Sequence, residues 1–295
     1  MILVTGVSGH LGSRVFELLK SQGYPAIGIV NTNSSIVQAD IKKLNLTDAS
    51  AVVKFCQQYQ VTECIHCASV MASACESLPI EMSVDINVLG TSNLLKWTWK
   101  KFVYVSTGSV FQDSSSTCTE ETEPTPKNVY GLTKRLAEID VIRHNGIVAR
   151  VSWLYGPPIT STNLDPVRGP IPWLIGQFKK QSSVHVLGSD HCASFTYVDD
   201  VADALKCLLI ANQLNNNIYH IGTGKNHSVK EIASMLAPLS KVSTITFDSG
   251  IMPWSRATRQ RPPLSTNRIK NELGWTSQWT LEEGIKHYWK MFVNE

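Results

Sequence analysis

The sequence predicts an α/β protein, a doubly wound parallel sheet with a smaller substrate-binding lobe interleaved toward its C-terminus. Three observations predict this class. Short apolar runs alternate with helical apolar patterns over the first 155 residues, a glycine-rich turn follows the first strand, and a short strand returns at Ile218–Ile221 after a loop-rich stretch. We therefore expect residues 1–155 and 197–221 to form the sheet domain, and residues 156–196 and 222–295 to form the lobe.

Composition limits the classes of partner. Of the 295 residues, 43% are hydrophobic and 17% charged, which suits a chain with a sizeable core. The net charge of +3 is too small for a surface that binds a phosphate backbone, so we expect no nucleic-acid partner. No apolar run approaches the ~18 residues that span a bilayer, and the chain opens without a basic leader. We expect no membrane association and a cytoplasmic location.

The elements follow one another at the spacing of βαβ units. The apolar start of the chain predicts a strand over 1–5, and a helix follows the glycine turn. The next predicted elements are a strand over 26–30, a helix over 49–60, a strand over 64–69, a helix over 84–96, a strand over 102–106, a helix over 130–144 and a strand over 147–153.

Beyond residue 156 the pattern changes. Residues 158–172 are rich in Pro, Thr, Ser, Asn and Gly, and they predict a long loop where the lobe begins. A helix over 197–210 and the strand over 218–221 return to the sheet. Two later helices are predicted by capping boxes, Ser228 with Glu231 and Thr280 with Glu283.

Seven cysteines, an odd number in a chain of this length, indicate reduced thiols. The one suggestive spacing is Cys64 with Cys67, and no second pair lies at a zinc-site distance from it. Small apolar side chains in a buried strand explain both cysteines better than a metal or redox site. We therefore expect no bound metal.

The glycine turn is the first candidate for chemistry. Glycines between a strand and a helix let the backbone turn tightly and approach a pyrophosphate, which the free N–H groups and dipole of the helix N-terminus attract. A purely structural turn is the alternative. The candidate cofactor-binding residues here are Gly6, Ser8, Gly9, His10, Leu11 and Gly12.

Tyr130 and Lys134 are the second candidate, because residues four apart lie on one face of a helix. A cation one turn away favours the phenolate, so Tyr130 could exchange a proton with a carbonyl or alcohol oxygen. A tyrosine and a lysine four residues apart also occur by chance in many helices, so the pair alone does not identify a site. Ser106 and Thr107, at the end of the preceding strand, add a hydroxyl that can bond the same substrate oxygen.

These motifs together resemble the extended short-chain dehydrogenase/reductase family over nearly the whole chain. The matching segments are the glycine turn, residues 45–48, 65–68, 87–91, Tyr130 with Lys134, residues 150–156 and 197–202, and Arg261 with residues 273–275. The resemblance implies an NAD(P)-binding Rossmann domain and a catalytic set of Thr107, Tyr130 and Lys134. It implies that Lys134 also bonds the nicotinamide ribose, and that homodimers form through the helices carrying Asn87 and Tyr130. Further implied cofactor contacts are Asn31, Asn45, Leu46, Cys67, Ala68, Ser69 and Asn87.

Within the family, residues 106–111, 128–134 and 150–155 look most like dTDP-4-dehydrorhamnose reductases, in which the tryptophan matching Trp153 lies against the sugar. Core packing at a strand end is the alternative for Trp153. Arg261 is a candidate clamp for a diphosphate. Departures from the family also narrow the reaction: Gly108 and Ser109 stand where dehydratases of the family carry acidic residues, so dehydration is disfavoured.

Cofactor choice depends on the end of the second strand, where NAD-preferring members carry an acidic residue. Here the segment reads Asn31, Thr32, Asn33, which does not repel a 2′-phosphate, and Arg14 could approach one. This favours NADP over NAD. The leading hypothesis is an NAD(P)H-dependent reductase of a 4-keto-6-deoxy nucleotide sugar. The alternatives are a nucleotide-sugar 4-epimerase and a regulatory subunit resembling the methionine adenosyltransferase β-subunit.

Overall fold

The computed structural model describes residues 1–32, 34, 36, 38–112, 116–159, 169–250 and 261–293. Its centre is a seven-stranded sheet whose paired strands all run parallel. The strands of the chain are β1 (Ile2–Thr5), β2 (Ala26–Val30), β3 (Ile41–Lys43), β4 (Glu63–His66), β5 (Lys101–Thr107), β6 (Ile147–Val151), β7 (Trp153–Tyr155), β8 (Ser183–Val186), β9 (Cys192–Ala193), β10 (Phe195–Tyr197), β11 (Ile218–Ile221), β12 (His227–Ser228) and β13 (Thr244–Phe247).

The order across the large sheet is β11-β6-β5-β4-β1-β2-β3. Strand β1 pairs with β2 on one side and with β4 on the other, so the chain reverses its direction of progress across the sheet at β1. In doubly wound sheets, ligands bind outside the carboxyl ends of the strands at this switch point. The topology confirms the predicted Rossmann-like fold and places the glycine turn at the expected ligand crevice.

Helices cover both faces of the sheet. The helices of the described chain are α1 (His10–Ser21), α2 (Ala49–Tyr59), α3 (Ala72–Cys75), α4 (Ile80–Val84), α5 (Gly90–Leu95), α6 (Val129–Arg143), α7 (Pro170–Lys180), α8 (Val198–Ile210), α9 (Val229–Leu236), α10 (Asn267–Leu273) and α11 (Leu281–Val293). One apolar cluster lies between the sheet and the helices α1 and α8, and a second lies between the sheet and α2, α5 and α6. Apolar burial on both faces explains why most strands read as continuous hydrophobic runs.

A third apolar cluster joins α7, α9 and α11 to the short strands β8 and β10. Helices α9 and α11 begin where the sequence predicted, whereas α7 was not predicted. Ser228 and Glu231 form a full capping box at α9, and the Thr280 and Glu283 side chains bond each other's backbone N–H groups at the start of α11. The division into a sheet domain and an interleaved lobe at residues 156, 197 and 222 stays a prediction.

The structure differs from the predicted elements in several places. The strand predicted over 64–69 ends at His66, and β3 was not predicted. Strand β6 ends at Val151 instead of 153, because Trp153–Tyr155 leave the sheet to pair with β10. The predicted loop over 158–172 ends early, since α7 begins at Pro170, and proline fits the first turn of a helix; residues 160–168 lie outside the described residues. The helix predicted over 84–96 contains a π-turn at Asp85–Leu89. Among the described residues, no helix is long and apolar enough to cross a bilayer.

Candidate active site

The glycine turn connects β1 to α1, and its shape depends on the absence of side chains. Gly6 has a φ of +71°, and a Cβ there would lie 2.8 Å from the backbone of Ala68. A Cβ on Gly12 would lie 2.2 Å from the carbonyl oxygen of Gly6. Both positions therefore require glycine, so that α1 can start directly against the turn.

The N-terminus of α1 fits an anionic group. Gly9 caps the helix without a side-chain hydrogen bond, and the first turn holds no acidic residue. The helix dipole and its first N–H groups therefore face the crevice without an internal counter-charge. The predicted residues Ser8, His10 and Leu11 lie in this turn or in the first turn of α1. This cradle fits the pyrophosphate of a dinucleotide.

The other predicted cofactor residues lie at the same edge of the sheet. Asn31 follows β2, Asn45 and Leu46 follow β3, and residues 67–69 follow β4. Asn45 is exposed, and its Oδ1 accepts hydrogen bonds from the N–H and hydroxyl of Thr47. The topology thus brings these residues around one crevice, although Asn33 lies outside the described residues.

Arg14 of α1 is engaged by two neighbouring segments. Its Nη2 donates to the carbonyl oxygen of Pro157 at 3.0 Å, and its Nε lies 3.5 Å from the Asp199 carboxylate. These contacts tie α1 to the segment after β7 and to the start of α8, which packs beside α1. The guanidinium is therefore engaged elsewhere and does not supply the cation that the sequence suggested for a 2′-phosphate.

Tyr130 lies in the first turn of α6, facing the end of β5. The polar side chains of Thr107 and Ser69 lie near its hydroxyl, and both lower its pKa. Burial nevertheless raises the pKa of Tyr130 to about 12, against the direction that the sequence predicted from Lys134. The positive charge of Arg261 acts on Tyr130 as well and partly offsets the effect of burial.

Lys134 is buried one turn further along α6. Its Nζ lies 4.1 Å from the centroid of the Tyr104 ring, a cation–π contact. Burial lowers the pKa of Lys134 to about 7, and the nearby Glu138 carboxylate opposes this shift. The side chain therefore lies close to the crossover between its charged and neutral forms at physiological pH.

A buried carboxylate that the sequence analysis missed fixes α6 against the sheet. Glu138 follows Lys134 by one turn and accepts two hydrogen bonds from Arg150 and one from Ser106. The regular spacing of Tyr130, Lys134 and Glu138 was the available signal, because residues four apart share a helix face. The last residues of β5 and β6 are thereby held to the helix that carries Tyr130.

Trp153 and Arg261 stack on one another. The guanidinium carbon of Arg261 lies 4.2 Å from the centroid of the Trp153 ring, and Nη1 donates to the Ser109 hydroxyl at 3.1 Å. Burial lowers the pKa of Arg261 to about 10. A sugar can therefore stack on this face of Trp153 only after Arg261 moves. A pocket lies beside these residues, lined by Gly108, Val151, Ser152, Trp153, Ala193, Ser194, Arg261, Pro262 and Leu264.

No group of three His, Cys, Asp or Glu side chains in the described part of the chain could hold a metal ion. The seven cysteines are free thiols. Burial raises the pKa of Cys64 well above the ordinary thiol value and that of Cys67 to about 12, so neither is a reactive thiolate. The polar groups that the described site offers for chemistry are hydroxyls and one lysine.

Comparison with known proteins agrees with this geometry. Residues 2–222 match the model of the NAD dependent epimerase/dehydratase family. The "Putative UDP-glucose 4-epimerase" of Methanocaldococcus jannaschii is 30% identical over 97% of this chain and 96% of that protein. The methionine adenosyltransferase 2 subunit beta of Xenopus laevis is 30% identical over 99% of this chain and 88% of that protein.

The solved structure of UDP-glucose 4-epimerase with UDP-glucose from Thermotoga maritima has the same fold. Its TM-score is 0.86 at 23% identity, and the match covers 99% of this chain and 98% of that one. The sheet order, the glycine turn and the family match lead to one conclusion. This chain belongs to the NAD dependent epimerase/dehydratase family, a group of enzymes within the extended short-chain dehydrogenase/reductases.

Proposed function

We propose that this protein is a nucleotide-sugar 4-epimerase. The observation that carries the proposal is the position of Tyr130 at the start of α6, which packs against the residues that follow Thr107 at the carboxyl end of β5. The side chains of Thr107 and Ser69 both act on the Tyr130 hydroxyl and lower its pKa. In its phenolate form Tyr130 can take the proton of a sugar alcohol while a hydride leaves the same carbon, and the resulting phenol can return the proton when the hydride returns to the opposite face of the ketone. This sequence inverts one carbinol centre. The similarity to a UDP-glucose 4-epimerase over nearly the full chain supports this choice.

Each residue has a separate role. Tyr130 exchanges the proton with the sugar O4, and Thr107 orients that oxygen through its hydroxyl. Lys134 holds its ammonium near the crevice, where it can bond the ribose of the cofactor. A nicotinamide cofactor, held by the glycine turn and Lys134, would accept the hydride from the sugar carbon and return it. Lys134 is buried and Tyr130 is partly buried, which limits the access of water and strengthens the hydrogen bonds made to the reacting oxygen.

Dehydration is poorly served by these residues. The two positions after Thr107 are Gly108 and Ser109, and the Ser109 hydroxyl already accepts a hydrogen bond from Arg261. Neither supplies a carboxylate to remove a proton from the neighbouring carbon. Epimerisation and simple ketone reduction use the same catalytic set, and the named relatives favour epimerisation over the reduction that the sequence motifs suggested.

The assay for the proposal separates these reactions. Purified protein is incubated with UDP-glucose or UDP-glucuronate and a trace of NAD or NADP, and the products are resolved by NMR. We expect the C4 epimer to appear without net cofactor oxidation or reduction, and Tyr130→Phe to remove the activity. Oxidation of the reduced cofactor in proportion to a 4-keto-6-deoxy nucleotide sugar would instead establish a reductase.

A regulatory role is the second candidate, because the chain is 30% identical to a methionine adenosyltransferase β-subunit over almost its full length. A catalytic set with Tyr130, Thr107 and Lys134 in place is not needed by a subunit that only binds a partner. Absence of turnover on every nucleotide sugar, together with stable association with a methionine adenosyltransferase catalytic subunit, is the result that would favour this role.

We propose further that the cofactor site binds both NAD and NADP, and that Lys43 determines the ratio of the two dissociation constants. Lys43 pairs in register with Val30, the residue before Asn31, and its side chain is exposed. A cation beside the neutral Asn31 can bond a 2′-phosphate. This replaces Arg14, whose guanidinium is bound to Pro157 and Asp199.

The chain also presents an apolar surface that suits a homodimer. Leu132, Leu136 and Ile139 of α6 lie on one helix face and are between 43% and 52% exposed. Met82 of α4 and Leu89 of the π-turn, on segments packed against α6, are exposed as well. Large exposed apolar side chains on adjoining helices are typical of a protein interface. We propose that a second copy of the chain covers them.

A further inference from the structure

A continuous series of buried hydrogen bonds runs from the loop after β4 to the backbone of Tyr130. It begins where the Ala68 N–H donates to Thr5 Oγ1 at 2.9 Å. Thr5 lies 2.7 Å from His66 Nδ1, and His66 Nε2 lies 3.0 Å from Thr91 Oγ1. These three side chains are 0% exposed, so water cannot replace a missing partner.

The series continues into α6. The Thr91 hydroxyl donates to the carbonyl oxygen of Asn87 at 2.8 Å. Asn87 Nδ2 then donates to Thr133 Oγ1 at 3.0 Å, and the Thr133 hydroxyl donates to the carbonyl oxygen of Tyr130 at 2.9 Å. Asn87 and Thr133 are at most 2% exposed. The six hydrogen bonds thus join three parts of the protein: the end of β1, the π-turn and the start of α6.

The direction of each proton follows from the end groups. A carbonyl oxygen can only accept, so the single protons of Thr91 and Thr133 are committed to Asn87 and Tyr130. Thr91 Oγ1 must therefore accept from His66 Nε2, which carries the ring proton. A neutral imidazole then has an acceptor at Nδ1, and it receives the Thr5 proton. Every hydroxyl in the series donates once and accepts once.

His66 is held in the neutral form that this order requires. Burial lowers the pKa of His66 to about 3, and the positive charge of Lys134 acts in the same direction. The groups facing the ring are the uncharged hydroxyls of Thr5 and Thr91 and the rings of Phe102 and Tyr104. The ring therefore keeps one tautomer over the working pH range.

The series also brackets the loop that carries Ser69. Thr5 holds the N–H of Ala68 on one side, and Asn87 holds both the N–H and the carbonyl of Val70 on the other, at 2.7 and 3.2 Å. Ser69 lies between these anchors, and its side chain lowers the pKa of the nearby Tyr130 hydroxyl. The same series of hydrogen bonds consequently fixes both the position of Ser69 and the backbone of Tyr130.

We propose that His66 is a positioning residue, which acts through Thr5, Thr91 and Asn87 to hold the glycine turn and Tyr130 at a fixed distance from each other. The kinetic test of this inference, a change in kcat, rests on the proposed reaction. A second test, a change in NAD affinity, is independent of that reaction. Ala68 packs against Gly6 of the glycine turn. A displacement of Ala68 would therefore alter the shape of the glycine turn as well as the position of Tyr130.

Two replacements at Thr91 separate the hydroxyl from the packing. Thr91→Val keeps the shape and removes the hydroxyl, whereas Thr91→Ser keeps the hydroxyl and removes a methyl group. We expect Thr91→Val to lower kcat about tenfold and to weaken binding of NAD, the probe measured by calorimetry, and we expect Thr91→Ser to stay within about twofold of the wild type. Equal behaviour of the two variants in kcat and in NAD affinity would overturn the proposal.

Replacing the two ends of the series tests whether it acts as a unit. Thr5→Val and Thr133→Val lie on different elements, and we expect the double variant to lose less NAD affinity than the product of the single losses. Additive losses would show independent packing defects and contradict the proposal. If the protein turns out to have no epimerase activity, NAD affinity still decides this point.

The tautomer gives a measurement on the unaltered protein. ¹⁵N NMR spectra of histidine-labelled protein, assigned by comparison with His66→Gln, should show His66 protonated at Nε2 and unprotonated at Nδ1 between pH 6 and pH 8. A proton on Nδ1, or a charged ring in this range, would overturn the order of the series even if every valine variant failed to fold.

Discussion

Glu138 binds Arg150 through two parallel hydrogen bonds, 3.0 Å from Nε and 2.8 Å from Nη2, in a place where neither side chain is more than 1% exposed. Bidentate pairs of this kind fix both the distance and the relative orientation of the elements that carry them. Here they connect α6 to β6, and the Ser106 hydroxyl extends the contact to β5 at 2.5 Å. The pair thus determines how Tyr130 and Lys134 are presented at the end of the sheet.

Removing this carboxylate should destabilise the whole domain. We expect Glu138→Gln to lower the free energy of unfolding by about 3–5 kcal/mol, because it leaves the Arg150 charge buried without its counter-charge. The exposed Glu123, which lies 3.6 Å from Arg135, is the matched control, and Glu123→Gln should cost less than about 1 kcal/mol. Urea unfolding curves measure both, and a loss at position 138 no larger than at position 123 would contradict the account.

Much of this architecture is readable from the sequence, because apolar periodicity and glycine placement act locally. The glycine turn, the strands of the large sheet except β3, and both capping boxes follow from patterns a few residues long. The end of β6 could not be predicted from such patterns. The break between Val151 and Trp153 depends on a partner strand at Phe195–Tyr197, about 40 residues further along the chain.

The site shows the same division. Tyr130 and Lys134 share a helix face, so their juxtaposition could be inferred from spacing alone. His66 reads as one histidine in an apolar strand, and its partners Thr5 and Thr91 come from other elements. The effect of burial on the Tyr130 pKa is likewise a property of the packed site, and the sequence reasoning, which considered only the neighbouring cation, had the direction wrong.

Stability should depend on pH through Lys134. The unfolded chain keeps the Lys134 proton up to the ordinary lysine pKa of 10.5, whereas the folded protein releases it above about 7. The folded state therefore gains stability relative to the unfolded state as pH rises through this window. We expect Lys134→Met to have a higher free energy of unfolding than the wild type at pH 7.5. The difference between the two proteins should decrease by about 2 kcal/mol by pH 9.

The exposed Lys54, changed to Met, serves as the control for loss of a surface charge, and urea unfolding at each pH provides the free energies. A gap between wild type and Lys134→Met that stays constant from pH 7.5 to pH 9 would show that Lys134 is not desolvated in the folded protein.

Cofactor selection should respond to Lys43 and not to Arg14. We expect Lys43→Ala to weaken NADP binding about tenfold while NAD binding changes little, because only the 2′-phosphate loses a charged partner. Arg14→Ala should leave the ratio of the two dissociation constants unchanged. Calorimetric titrations measure both ratios, and a change in the ratio confined to the Arg14 variant would refute the assignment.

The oligomeric state should depend on the exposed face of α6. We expect the wild type to sediment as a dimer, and Leu136→Glu to yield a folded monomer, because a buried carboxylate without a partner opposes association. Met291→Glu, at a similarly exposed position on α11, is the control and should remain dimeric. A monomeric wild type at micromolar concentration in analytical ultracentrifugation would exclude this interface.

The most direct test of the central claim follows the fate of the hydrogen at C4. UDP-glucose that carries deuterium at C4 is converted with a trace of dinucleotide, and the product is analysed by NMR and mass spectrometry. A 4-epimerase that acts through Tyr130 predicts the epimer with its deuterium retained at C4, and no such product from Tyr130→Phe. An epimer that has lost the deuterium to solvent, or undiminished conversion by Tyr130→Phe, would contradict the account.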